Sequence, residues 1–357
     1  MNANIIDGES CVIKQIVQYE SYSFAWDIDF TEQSSITVFE EPLIATGDFV
    51  VCFDASGNVA YQGICIGVGE ADGTASYTIN MKQMEALFDR NIILAGASIA
   101  KTTGIEDFLE SIITAEFINS GDPILDHGYM TVTAQTHTLY KRKIETEEGI
   151  FNLKTFIGNL RQNDGIYTTF SFSGNTMRVR ISKPEQPVYR LDIRNGGDVA
   201  ETRETYNVDV LAHLDVLWKI PDDSSDDVIG ATTRIAYYFT AGRNITRDIN
   251  AADRVIGEIS ASHYQAESYD ALMESVTDEF ANRNTYEHQV DAWIYAGSKA
   301  YPYSDMVLGK RVTIRARSRT VSSIVMRIAR QSGSPLYQVR FGKLPVKLTD
   351  KIRRPGR

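Results

Sequence analysis

From residue 11 to residue 80 the chain alternates apolar and polar positions in short runs, "VIKQIVQYESYSFAWDIDF", "SSITVFEE", "GDFVVCF", "VAYQGICIGVG" and "ASYTINM". A period of two sends successive side chains to opposite faces of a strand. Five or six strands with one buried face are therefore predicted, enough for a small antiparallel barrel. The segment "DASGN" between "VVCF" and "VAYQGI" supplies the Asp, Asn and Gly that a tight hairpin needs. Beyond these strands, "MKQMEALFD" reads as a short helix and "RNIIL" as a closing strand.

Near Gly104 the period lengthens to that of a helix. "GIEDFLESIITAEFINS" gathers Ile105, Phe108, Leu109, Ile112, Ile113 and Phe117 on one face behind an acidic first turn. The strand "YMTVTAQTHTLYKRKIE" precedes a second helix, "IFNLKTFIGNLRQN", and "GIYTTFSFSG" pairs with "TMRVRISK" through a turn at "SGN". Together these make an α+β unit. "PDDSSDDVIG" at 221–230 is an exposed acidic loop, and "YQAESYDALMESVTDEFANRN" is a third helix. The strands "EHQVDAWIYA", "KRVTIRA", "SSIVMRIARQSG" and "LYQVRFG" complete a second β-rich unit. The fold class is thus α+β and mostly β.

With 357 residues at 43% hydrophobic, 10% aromatic and 23% charged, the chain has the composition of a globular protein of two or three packed units. No apolar run approaches the roughly 18 to 20 residues of a membrane-spanning helix. "MNANIIDGES" carries acids where a secretory signal would carry a basic patch and an apolar core. Cys11, Cys52 and Cys65 lie in strand-like apolar settings without a CxxC pair or a histidine at ligand spacing, so they are expected as small buried hydrophobes.

Charge is segregated. From Asp305 to Arg357 there are fourteen Lys or Arg against two acids, while the other 304 residues hold 22 basic against 45 acidic. Such separation predicts two surfaces with different partners.

Candidate chemistry is sparse. "GICIGVGEADG" contains Gly-x-Gly, but Asp72 stands at the third glycine and no βαβ unit follows. Asp122, Asp126 and His127 in "GDPILDHG" fit a polar turn better than a metal or acid–base site. Asp222, Asp223, Asp226 and Asp227 lack the alternating oxygen ligands and terminal glutamate of a calcium loop. GxSxG, HExxH and P-loop signatures are all missing, and His288 falls in a strand beside tyrosines. No catalytic residue, cofactor or metal site is expected, and the chain is not expected to be an enzyme.

"SYSFAWDIDFTEQSSITVFEE", "GDFVVCFDASGNVAYQGICIG" and "EALFDRNIIL" in the first half, with "ANRNTYEHQVDAW", "LGKRVTIRA", "VSSIVMRIA" and "YQVRFG" in the second, resemble the hub or tail-tip proteins of tailed phages. The resemblance implies two small antiparallel β-barrels per subunit joined by an α+β domain, and a homotrimeric ring of six similar barrels. It also implies a division into 1–100 (first barrel), 101–200 (α+β), 201–285 (first strand of the second barrel, acidic insertion and helix), 286–347 (second barrel) and 348–357 (basic tail). The partners implied are a distal tail or tail tube protein, the tape measure protein and receptor-binding or tip proteins, with DNA passing transiently. The chain is expected to stop after the second barrel, without a lysozyme, peptidase or receptor-binding extension.

For the contact surfaces, tyrosine and tryptophan offer large apolar area with a polar edge. Trp293 and Tyr295 alternate with Ala292 and Ile294 on a strand, and "YPYSD", with Tyr301 and Tyr303, is expected at a hairpin tip. "RVTIRARSR" is expected to align Arg311, Arg315, Arg317 and Arg319 on one strand face, joined by Arg353, Arg354 and Arg357 of the tail. A tail-tip adhesin or carbohydrate-binding module is the alternative, and a cell-wall-degrading tail enzyme a third possibility that the missing motifs disfavour.

Overall fold

The computed structural model describes residues 1–70, 75–93, 104–139, 150–185, 188–194, 196–219, 232–240, 244–266, 268–283, 285–316 and 319–342. By contacts the described residues divide into two units, one within Met1–Arg203 and Val290–Gly342, the other within Glu204–Gln289.

The first unit opens with six strands: β1 (Asn2–Ile6), β2 (Ile13–Asp27), β3 (Gln33–Val38), β4 (Phe49–Phe53), β5 (Val59–Glu70) and β6 (Tyr77–Gln83). They pair in the order β1-β4-β5-β6-β3-β2, and β2 returns to β1, which closes an antiparallel barrel. The period-two pattern fills it: Ala3, Ile5, Val17, Tyr19, Ile36, Val38, Val50, Cys52, Tyr61, Cys65, Ile79 and Met81 are buried in one cluster. The cysteines are buried and free, as their apolar settings predict. Closure comes from β1 rather than from "RNIIL". That segment forms β7 (Asn91–Ile93), which pairs with β9 (Ile150–Asn152) outside the barrel. β6 runs through Gln83 and leads into a short helix of 3-10 type, Met84–Phe88, within the segment where a short helix is expected.

Two helices and a hairpin follow. α1 (Ile105–Phe117), β8 (Met130–Ala134), β9, α2 (Leu153–Asp164), β10 (Tyr167–Ser173) and β11 (Thr176–Ser182) share a core that includes Ile105, Leu109, Ile113, Leu153, Ile157 and Val179. Phe30 joins this core from a left-handed backbone at φ 57°, a conformation that costs a non-glycine residue on the order of 1 kcal/mol or more. α2 is capped by Asn152, whose side chain accepts from the Thr155 N–H, and ends on Gly165 at φ 69°.

The remaining strands that lie wholly or partly in this unit are β12 (Tyr189–Asp192), β13 (Val199–Asp209), β18 (Thr285–Tyr295), β19 (Arg311–Ala316), β20 (Arg319–Gln331) and β21 (Leu336–Gly342). In order β13-β18-β21-β20-β19-β12 they wrap one core of Leu191, Val290, Ile294, Val312, Val325, Tyr337 and Phe341. β12 pairs parallel to β19, whereas β19 with β20 and β20 with β21 are antiparallel. The two six-stranded groups are parts of a single sheet, because Ser23–Asp27 of β2 pairs with Arg327–Gln331 of β20.

The second unit contains β14 (Leu211–Lys219), β15 (Thr232–Phe239), β16 (Ile245–Thr246) and β17 (Glu258–Gln265), paired in the order β16-β15-β14-β17, with α3 (Tyr269–Arg283). Leu272, Val276 and Phe280 of α3 cover Leu214, Val216, Ile235, Tyr237 and Phe239 on one face of the sheet. Gly257 precedes β17 because a Cβ there would meet the Val210 carbonyl oxygen at 2.2 Å.

Candidate interface surfaces

The seam between the two six-stranded groups is built from charge and aromatic packing. Arg327 donates from Nε to Glu32 Oε1 at 2.5 Å, from Nη2 to Glu32 Oε2 at 3.2 Å and from Nη1 to Gln338 Oε1 at 2.9 Å. This two-pronged bond ties the loop after β2 to β20 and β21. Beside it a row of rings crosses the seam. Phe24 stacks on Tyr61 at 4.9 Å, Tyr61 lies 5.2 Å from Trp26, Trp26 lies 6.3 Å from Tyr303, and Tyr303 meets Tyr337 edge-on at 5.3 Å. The Arg330 guanidinium caps the Tyr303 ring at 5.0 Å.

Tyr303 therefore serves a contact within the chain, and Tyr301 is a core residue at 7% exposure. The Tyr301 hydroxyl accepts from the Asp192 N–H at 3.0 Å, and its carbonyl accepts from the Tyr337 hydroxyl at 2.7 Å. "YPYSD" is not a hairpin tip. β18 lies between β13 and β21, β19 lies between β20 and β12, and the segment between them forms a short 3-10 turn at Tyr303–Asp305. Sequence adjacency pointed to a hairpin that long-range pairing does not make. Trp293 is half-buried and Tyr295 is 41% exposed, on the face opposite the fully buried Ala292 and Ile294.

The arginines divide. Arg311 and Arg315 project from the exposed face of β19, whose other face buries Val312 and Ile314. Arg319 is not in line with them: the chain reverses after Ala316, and Arg319 opens β20 opposite Ala316. Arg317, Arg353, Arg354 and Arg357 lie outside the described residues. Arg315 does find an acid, Asp192 of β12 at 4.0 Å, a residue far away in sequence. The Arg194 side chain bonds the same carboxylate at 2.8 Å and, with Arg315, holds its pKa well below the usual range.

The polar clusters singled out in the sequence are structural or lie outside the described residues. Asp126 Oδ1 accepts from the Ser120 N–H and hydroxyl at 2.7 and 2.6 Å, Asp122 accepts from the Ile124 N–H, and His127 Nδ1 lies 3.0 Å from the Tyr129 hydroxyl. That turn uses its own polar groups. β5 and β6 form an antiparallel hairpin, so the Gly-x-Gly opens no nucleotide-binding unit, and Asp72 itself lies outside the described residues. Asp222, Asp223, Asp226 and Asp227 also lie outside them, as does the His288 side chain. Among the described residues no three His, Cys, Asp or Glu side chains come together to hold a metal, and no helix is long and apolar enough to cross a membrane.

No family model matches the chain and no curated protein matches its sequence. Solved structures do. A chain of the phage P2 virion baseplate in its activated conformation superposes with a TM-score of 0.59 at 11% identity, covering 96% of this chain and 98% of that one. A P2 baseplate in its activated conformation with Ca gives 0.58 at 11% identity, over the same shares. The 43 kDa tail protein of prophage MuSo2 from Shewanella oneidensis gives 0.52 at 11% identity, over 97% and 99%. The chain has the fold of these phage tail proteins over nearly its whole length.

Proposed function

We propose that this chain is a structural, non-enzymatic hub at the distal end of a phage tail tube, assembled in the virion as a homotrimer. The observation that carries the proposal is the junction of two six-stranded groups in series, β2 against β20, as parts of one sheet. Two six-stranded groups per chain would match a sixfold tube when three copies close a ring, since a heterologous contact must close on a whole number of subunits. The distal tail or tail tube protein would sit on one side of that ring. The tape measure protein and the receptor-binding or tip proteins are the other partners, and DNA would pass through on host entry. Acidic walls would keep that DNA from adhering, because like charges repel. The fold shared with baseplate and prophage tail proteins supports this role.

The test is a single-particle map of the intact tail. Three copies at the tip are expected, with interfaces burying thousands of Å² in the manner of obligate assemblies. One or six copies would overturn the proposal. The isolated chain can remain monomeric, so its solution mass is a weaker measurement.

A further inference from the structure

Four buried polar side chains of the first unit line a single cleft. Gln83 at the end of β6, Glu85 in the 3-10 helix that follows, Arg161 of α2 and Thr168 of β10 are each at most 6% exposed, and they border a space of about 440 Å³. That volume lies within the roughly 300 to 1,000 Å³ of small-molecule sites. Trp26, Tyr61 and Phe170 add aromatic surface, with the Trp26 and Tyr61 rings 5.2 Å apart. β6 ends opposite Gly63, so Val59–Gln62 of β5 have no strand on that side, and these residues form one rim of the cleft.

Buried polar groups are as a rule paired, because an unpaired one forfeits the bonds it made to water. Here the pairing is incomplete. Gln83 accepts from the Asp27 N–H at 2.8 Å through its amide oxygen, and its amide nitrogen has no acceptor among the described residues. Glu85 Oε1 accepts from Arg161 and, at 3.3 Å, from the Thr168 hydroxyl, while Oε2 accepts no bond among the described residues. The Arg161 Nε is buried and bonds nothing among them. The Trp26 indole N–H and the Gln62 amide are likewise without partners among them.

These groups select a class of ligand. Arg161 offsets the charge of Glu85, so a cation or an anion would be attracted by one and repelled by the other. A hydrocarbon would leave the donors and acceptors unpaired. A neutral sugar ring satisfies both, since each hydroxyl can donate and accept, and its C–H face can pack on an aromatic ring. We infer that this cleft is a saccharide-binding site that takes a neutral sugar residue. Trp26 packs on the ring, Gln83 and Gln62 donate to its hydroxyls, and Glu85 Oε2 accepts from one. Neither ring closure nor copy number at the tail tip enters this inference.

The test is heteronuclear NMR of the full chain with the methyl glycosides of glucose, galactose, mannose and N-acetylglucosamine, and methyl glucuronide as the charged control. At least one neutral glycoside at millimolar concentration is expected to shift the Trp26 indole and Gln83 side-chain signals saturably, with the Trp26 signal identified by its loss in Trp26→Phe. Gln83→Glu keeps an acceptor for the Asp27 N–H and deletes the free donor, and Gln62→Ala trims the rim without touching the floor. Each should weaken binding about tenfold, the cost of one lost bond to a buried hydroxyl. No shift with any of the four glycosides overturns the inference, as do shifts confined to Trp218 or Trp293. Equal binding of the glucuronide overturns it as well, and so does unchanged affinity in both variants. None of these results bears on copy number, so the hub proposal and this one fail separately.

Discussion

Glu106 shows how one residue can do a job its sequence position only half announces. As an acid in the first turn of α1 it suits the positive end of the helix dipole. In the structure it is fully buried and accepts from the Thr136 hydroxyl at 2.7 Å and the Thr138 N–H and hydroxyl at 2.6 and 2.7 Å. Burial pushes its pKa up, but the bonds from Thr138 and Thr136 outweigh that and leave it lowered. Glu106→Ala would strand these donors, and a loss of about 3 kcal/mol in denaturant unfolding is expected. His127 works in the opposite sense: burial lowers its pKa below the ordinary 6.5, against the weaker pull of Asp126. The folded state then disfavours the imidazolium, so this contribution to stability is present above pH 6.5 and is lost as pH falls below it. His137 has a raised pKa through its 2.8 Å contact with Asp107 and has the opposite sign. The comparison is therefore between variants: His127→Gln should flatten the loss of melting temperature between pH 6.5 and 5 relative to the wild type.

Among the elements, α2 is held by an ion pair that no periodicity reveals. Arg161, 5% exposed, donates to Glu85 in the 3-10 turn after β6 and lies over the rings of Phe30 at 4.7 Å and Tyr167 at 5.6 Å. Removing one partner leaves a buried charge alone, so Arg161→Ala should cost about 3 to 5 kcal/mol, whereas Arg161→Met with Glu85→Leu should cost much less. Urea unfolding of the single and double variants separates these outcomes. What was legible in the sequence follows the same division. Alternation exposed β2 to β6, and the 3.6-residue period exposed the α1 face, with Leu109, Ile112, Ile113 and Phe117 buried and Phe108 partly covered. Five residues of "NANII" were too few to reveal β1. The partners of β7, β18 and Arg315 are distant along the chain, and local pattern carries no information about them. Sequence alone does not separate a buried Tyr301 from an interface one, because amphipathic rings suit both a core and an interface.

At the scale of the whole molecule, charge is separated along the chain, and under the proposed hub role the basic tail is a contact surface. Converting Arg353, Arg354 and Arg357 to Glu should leave the purified chain folded and reduce its incorporation into tails, with the largest deficit at low salt, where screening is weakest. Normal incorporation in a complementation assay would refute a binding role for the tail. The β2–β20 seam has a different consequence, for synthesis. Strands β1 to β6 can close soon after residue 83 is made, but Ser23–Asp27 must wait for Arg327–Gln331. At about 5 to 20 residues per second, that wait is roughly 12 to 50 seconds on the ribosome. Throughout it a finished barrel carries one stretch of unpaired strand, so crowded polysomes, where identical nascent chains lie side by side, are where mispairing of this protein is expected to begin.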